Sequence, residues 1–150
     1  MHFGKVALGG TFDILHKGHK KLLEKAFEVG GHVVIGITSR EMLEKRGVAP
    51  YREREEGLRL FLDSRFKGRY EVVELLDPYG PAVTDGSLEA LVVSAETRRR
   101  GEEINALRRK SGHQPLELIV VPRVLAEDGR PISATRIRRG EIDPEGRALE

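Results

Sequence analysis

Apolar residues in this chain fall into short runs whose period changes along it, and the changes mark out the elements. Lys5-Val6-Ala7-Leu8 is a β-branched and apolar run that stops at paired glycines, Gly9-Gly10, and reads as a first strand. Across residues 20–29 the apolar positions are Leu22, Leu23, Ala26, Phe27 and Val29, the spacing of one helix face, and Gly30-Gly31 ends it. Residues 32–37 are apolar on both parities, which predicts a strand buried on both faces, as in a parallel sheet. Thr38 or Ser39 is placed to cap a short helix through Arg46, broken by residues 47–50. Helical spacing returns over residues 51–66, with Leu58, Phe61 and Leu62 expected inward and Arg52, Arg54 and Arg59 outward.

The second half repeats the alternation. Residues 70–75 predict a third strand, Asp77-Pro78-Tyr79-Gly80-Pro81 a rigid loop, and Leu91-Val92-Val93 a short fourth strand. A charged helix over residues 97–110, a fifth strand over 116–121 and a last short helix capped by Ser133 follow. Strands alternating with helices predict an α/β fold, a Rossmann-like doubly wound five-stranded parallel sheet with right-handed crossovers. No repeat, linker or low-complexity stretch divides residues 1–150, so a single domain is expected, with residues 140–150 a frayed polar tail.

Composition narrows the chemistry. With 150 residues and 39% hydrophobic content, one buried core is expected. Lys and Arg total 26 against 24 Asp and Glu, and a net charge of +2 is too balanced to argue for a nucleic-acid partner. The absence of Cys excludes a disulfide framework, a Cys-based zinc site and a thiol nucleophile. No stretch resembles a signal peptide or membrane span, which points to a cytoplasmic protein without a membrane partner. No long apolar face stands out, so a monomer is favoured.

The stretch Gly9-Gly10-Thr11-Phe12-Asp13-Ile14-Leu15-His16-Lys17-Gly18-His19 joins the first strand to the first helix. Paired glycines followed by a helix start bring backbone N–H groups close to a ligand, most naturally a phosphate. His16 and His19, three residues apart, share one helix face beside Gly18. Three readings stand: packing or capping residues, an i, i+3 metal pair, or two imidazoles facing a phosphate. No third His, Cys or carboxylate is placed nearby by the local sequence, and no protein-held metal is expected.

The pattern G-T-F-D-x-L-H-x-G-H resembles the first signature of the nucleotidyltransferase superfamily of adenylyl- and cytidylyltransferases. Ile132-Ser133-Ala134-Thr135-Arg136-Ile137-Arg138 resembles its second, I-S-S-T-x-x-R, with Ala134 where Ser is usual. By itself the second could be an ordinary capped basic helix; beside the first, it suggests hydroxyls, N–H groups and an Arg converging on the β- and γ-phosphates. Asp77 to Pro81, Val92-Val93-Ser94-Ala95-Glu96-Thr97 and Ile104-Asn105 to Arg108 resemble the archaeal and eukaryotic phosphopantetheine adenylyltransferases. The Gly-Leu-Arg element of the bacterial enzymes is absent after the fourth strand, and Arg98 is a candidate substitute for its Arg.

The resemblance implies transfer of AMP from ATP to 4′-phosphopantetheine, giving dephospho-coenzyme A and pyrophosphate, with Mg2+ carried on the ATP phosphates. It implies that His19 stabilises the transition state and that His16 and Thr11 orient phosphates. Gly9, Gly10 and Gly18 would let the backbone approach, while Ser133, Thr135 and Arg136 hold the ATP tail. Lys45 matches a position contacting the acceptor phosphate, and Tyr79 is open between loop packing and the pantetheine pocket. Rival readings are an adenylyl- or cytidylyltransferase acting on nicotinamide mononucleotide, FMN or a polyol phosphate, and a nucleotide-binding regulator without turnover.

Overall fold

Five strands form one all-parallel sheet in the order β3-β2-β1-β4-β5 in the computed structural model, which describes residues 2–43 and 47–149. They are β1 (Phe3–Gly10), β2 (Gly30–Thr38), β3 (Tyr70–Leu75), β4 (Ala90–Ser94) and β5 (Glu117–Val121). The helices are α1 (Lys17–Val29), α2 (Tyr51–Asp63), α3 (Arg98–Lys110) and α4 (Ala134–Arg138). The chain lays β1 in the middle, builds outward through β2 and β3, then returns to the other side of β1 for β4 and β5. Strand order therefore reverses between β1 and β4, where connections leave in opposite directions and a crevice opens beyond the carboxyl ends.

The apolar runs divide by parity between two layers. Val6 and Leu8, Val33, Ile35 and Ile37, and Ala90 and Val92 face Leu23, Ala26 and Phe27 of α1 and Leu58 and Leu62 of α2. The alternate residues Ala7, Val34, Leu91 and Val93 face Ile104 of α3 with Ala82, Leu88 and Leu116. This is why β2 and β4 read as continuous hydrophobic runs rather than alternating ones.

Two polar side chains lock α3 to its surroundings. Asn105 Nδ2 donates to the Leu116 carbonyl at 2.9 Å, and the Leu116 N–H donates to Asn105 Oδ1 at 2.7 Å, fixing the entry to β5. Arg108, 1% exposed, donates to the carbonyls of Gln114, Ala82 and Asp85 at 2.7–2.9 Å. These buried donors and acceptors are satisfied by backbone, as burial requires.

The expected elements are present with shifted ends and three corrections. Of the short helix expected through Arg46, the described residues hold a single 3-10 turn, Arg40–Met42; Lys45 and Arg46 lie outside the described residues. Arg54, expected outward, is buried because three backbone carbonyls converge on its guanidinium. The segment after Gly140, expected to fray, docks: Ile142 is fully buried with Ala126 and Ile132, Lys17 N–H donates to the Pro144 carbonyl at 2.9 Å, and Glu127 N–H to that of Gly146 at 2.7 Å. One apolar residue in a polar stretch was enough to anchor it.

Ile142→Ala should destabilise the protein by about 2–5 kcal/mol in denaturant unfolding, the range for truncating a fully buried aliphatic side chain. An unchanged midpoint would mean that the segment is not part of the cooperative unit.

Candidate active site

The turn from β1 into α1 is built by its two histidines. His16 is the N-cap of α1, with extended backbone, and its Nδ1 accepts the Gly18 N–H at 3.0 Å. His19, in the first turn, accepts the His16 N–H on its own Nδ1 at 3.2 Å. The pair forms a capping box in imidazole instead of the usual Ser and Glu, satisfying two donors that a helix start leaves unpaired. The rings stack at 3.7 Å between centroids. Gly18 is needed for this: a Cβ there would lie 2.9 Å from His16 Cε1. The cap also fixes the tautomer, since an Nδ1 that accepts leaves the proton of a neutral ring on Nε2.

Burial keeps both rings neutral. It lowers the His16 pKa to about 4. For His19 burial comes first, the neighbouring His16 adds to it, and the Ile14 carbonyl opposes both, leaving a pKa of about 3. Since the folded state binds protons less readily than the unfolded chain, these groups cost stability as pH falls from about 6.5 towards those values. At neutral pH the site presents two uncharged Nε2–H donors.

Phe12 precedes them at φ 51°, the left-handed region, with its ring buried and packed 5.1 Å from His19. An aromatic residue persists there only when its surroundings hold it, and such conformations collect at functional sites. Thr11 Oγ1 accepts from Thr38 Oγ1 at 3.2 Å, joining the ends of β1 and β2.

The facing wall is the start of α4. Ser133 caps it, its Oγ accepting the Arg136 N–H at 3.2 Å. Arg138 Nη1 pairs with Asp13 Oδ2, while Asp13 Oδ1 accepts the Ala49 N–H at 2.9 Å. The two sequence signatures are thus tied together through Asp13.

One cavity of about 700 Å³ lies between these walls. Gly9, Gly10, Thr11, His16, Gly18, His19, Ser133 and Thr135 all line it. Arg136 does not join them. It is 9% exposed, its guanidinium pairing with Asp128 and Glu141 and donating to the Pro131 carbonyl at 3.0 Å. Arg138, two residues on, lines the cavity instead. Asp128 is held near a pKa of about 2 chiefly by its bond to Arg136, which marks that pair as a fixed brace.

Beyond β4, Arg100 and Arg123 reach the cavity wall, Arg123 pairing with Glu96, whereas Arg98 pairs with Glu102 at 3.5 Å outside the lining. Arg98 is the expected substitute for the bacterial Gly-Leu-Arg arginine because it follows the fourth strand; of the run Arg98-Arg99-Arg100, it is Arg100 that lines the cavity. Tyr79 lines the apolar end with Leu75 and Pro81, its hydroxyl donating to Glu103 Oε2 at 3.0 Å.

Residues 7–140 match the model of the Cytidylyltransferase-like family. A phosphopantetheine adenylyltransferase of Methanothermobacter thermautotrophicus is 48% identical over 150 residues, covering 99% of this chain and 91% of that protein. One of Methanopyrus kandleri is 47% identical over 145 residues, covering 94% and 92%. Among solved structures, a protein of unknown function from Archaeoglobus fulgidus matches with a TM-score of 0.73 and 38% identity over 78% of this chain and 88% of that one.

Gly18→Ala separates cap geometry from helix stability. Alanine gains about 1 kcal/mol of helix propensity, and displacing the His16 cap loses about as much, so unfolding should shift by less than about 1 kcal/mol. Turnover should nonetheless fall about tenfold, because the ring moves away from the site. Wild-type turnover in a folded Gly18→Ala protein would contradict the need for the stacked pair.

Proposed function

This chain belongs to the cytidylyltransferase-like family and, within it, to the phosphopantetheine adenylyltransferases, and from that membership we propose how its site works. It transfers AMP from ATP to 4′-phosphopantetheine, releasing pyrophosphate and forming dephospho-coenzyme A. The observation that carries the reading of the site is the pair of neutral imidazoles facing Ser133, Thr135 and Arg138 across one cavity at the sheet's switch point.

The acceptor is a phosphate monoester, already mostly dianionic near neutral pH because its second pKa is about 6. Its oxygen attacks the α-phosphorus, a new P–O bond forms, the bond to the bridging oxygen of the β-phosphate breaks, and pyrophosphate leaves. No proton has to be removed, so no general base is required. What the step requires is alignment and donors for the charge that builds on the α-phosphoryl oxygens and the leaving group.

The residues supply these. His19 donates from Nε2 to the developing charge; being uncharged, it stabilises that charge by a directed hydrogen bond in a partly dry site. His16 and Thr11 orient phosphates, with Gly9 and Gly10 admitting them close to the backbone. Ser133, Thr135 and Arg138 hold the β- and γ-phosphates, Arg138 taking the role expected of Arg136. Lys45 retains its proposed contact with the acceptor phosphate on the resemblance alone.

Mg2+ belongs to the same proposal. The carboxylates lining the cavity, Asp13 and Glu96, each face a guanidinium, and among the described residues no group of three His, Cys, Asp or Glu gathers. The residues present therefore fit an ion that would arrive with ATP and would supply charge neutralisation on the polyphosphate. A cytoplasmic setting and action as a monomer complete the proposal; no helix among the described residues is long and apolar enough to cross a membrane.

Pyrophosphate release should be measured with ATP, Mg2+ and each acceptor in turn: 4′-phosphopantetheine, nicotinamide mononucleotide, FMN and a polyol phosphate. Release with phosphopantetheine alone is expected; release with another acceptor would reassign the substrate, and release with none, from ATP or from CTP in its place, would make the protein a nucleotide-binding regulator. His19→Ala should fold normally and lose about 10²-fold in turnover, the scale of one transition-state donor. Near wild-type turnover in the folded variant would remove His19 from the chemistry.

A further inference from the structure

Arg54 is a buried cation that the reaction as derived does not use. It is 2% exposed. Nε donates to the Ala49 carbonyl at 2.8 Å, and Nη1 to those of Thr11 at 3.0 Å and Thr38 at 2.8 Å. Among the described residues it has no ion pair with a carboxylate, and its Nη2 has no hydrogen-bond partner. Burial pulls its pKa down, and the charge of Asp13 is the first of the groups that oppose this. Taking a guanidinium out of water without a counter-ion is expensive, so the carbonyls it binds must matter to the fold or to the site.

The Thr11 carbonyl distinguishes between the two. It belongs to the peptide unit whose N–H is that of Phe12. In a planar trans peptide the C=O and N–H point to opposite sides. Arg54 lies outside the cavity lining while Thr11 and Phe12 lie in it, and a carbonyl turned towards Arg54 leaves the Phe12 N–H on the opposite side of the peptide, away from Arg54. Among the described residues that N–H donates to no acceptor. The left-handed φ of Phe12 aids this presentation, since an αL residue in a turn makes a concave arrangement of N–H groups suited to anions.

We propose that Arg54 is a positioning residue for ATP: by holding the Thr11 carbonyl it fixes the Thr11–Phe12 peptide with its N–H aimed at a phosphate. It touches no substrate itself. The proposal rests on the adenylyl-transfer reading of this cavity. The same contact explains how the strained Phe12 is kept in place next to His19, since the peptide preceding it cannot flip without losing a charge-assisted hydrogen bond.

Arg108 provides a matched control. It is equally buried and also donates to three backbone carbonyls, but those of Ala82, Asp85 and Gln114, away from the phosphate-binding turn. Arg54→Met and Arg108→Met both leave three carbonyls short of donors and should lose comparable stability. Per folded molecule, Arg54→Met should lower kcat/KM for ATP by about tenfold or more, while Arg108→Met stays within about twofold of wild type. A wild-type value in Arg54→Met, or an equal loss in both variants, would reduce Arg54 to a structural brace.

A second measurement needs no variant. ATP titrated into the intact 15N-labelled protein should shift the Phe12 amide together with the His19 ring signals. A Phe12 amide that stays still while the His19 signals move overturns the positioning role and leaves the adenylyl-transfer reading intact. No ATP-induced shift anywhere overturns both.

Discussion

Two hydrogen bonds at the start of α1 hold the rest of the site in place: Gly18 N–H to His16 Nδ1, and His16 N–H to His19 Nδ1. In most helices the first-turn N–H groups are capped by Ser, Thr, Asp or Glu, whose oxygens are used up in the process. An imidazole differs, because accepting on one ring nitrogen defines a donor on the other. The interaction that terminates the helix therefore also sets the tautomer and ring plane of the two imidazoles that line the cavity. Stacking at 3.7 Å adds a further restriction, since two rings that close resist charging together.

This cap works because of where the sheet delivers it. β1 is the central strand, paired with β4 at Val6 and Ala7 and with β2 as far as Gly10, so β2 fixes its carboxyl end before the chain turns. Beneath the turn, Arg54 draws the ends of β1 and β2 and the loop before α2 onto one guanidinium. Across the cavity, Asp13 holds Arg138 and so couples the α4 wall to the same turn. Behind α4, Arg136 and Asp128 brace the loop that carries it, and buried Ile142 closes the segment underneath. This chain of contacts sets the separation of the two cavity walls, which is what the proposed grip on a polyphosphate from both sides requires.

The sheet was legible because β2 and β4 are apolar on both parities, a pattern that only a strand covered on both faces produces. The histidine turn was legible from a glycine pair between a strand run and a helix run, with two histidines at helical spacing. Arg54, Arg136 and Arg138 were not legible. A helical pattern assumes that a charged residue faces water, and it contains no record of carbonyls left unpaired by other segments, which is what draws Arg54 inward. Arg136 and Arg138 lie two residues apart, about 200° around the helix, so one faces the cavity and the other the brace; which is which depends on how the short α4 docks. Ile142 shows the same limit: a single apolar residue carries no period, yet the pocket formed with Ala126 and Ile132 decides the course of the last segment.

Two neutral histidines with their protons on Nε2 are the centre of the site. The most direct measurement is the pH dependence of the 15N shifts of both imidazoles in the ligand-free protein. At neutral pH each ring should show a protonated Nε2 and an unprotonated, hydrogen-bonded Nδ1, with midpoints displaced to about 4 for His16 and about 3 for His19. Midpoints near the ordinary value of about 6.5, or a proton resting on Nδ1 of either ring, would contradict it.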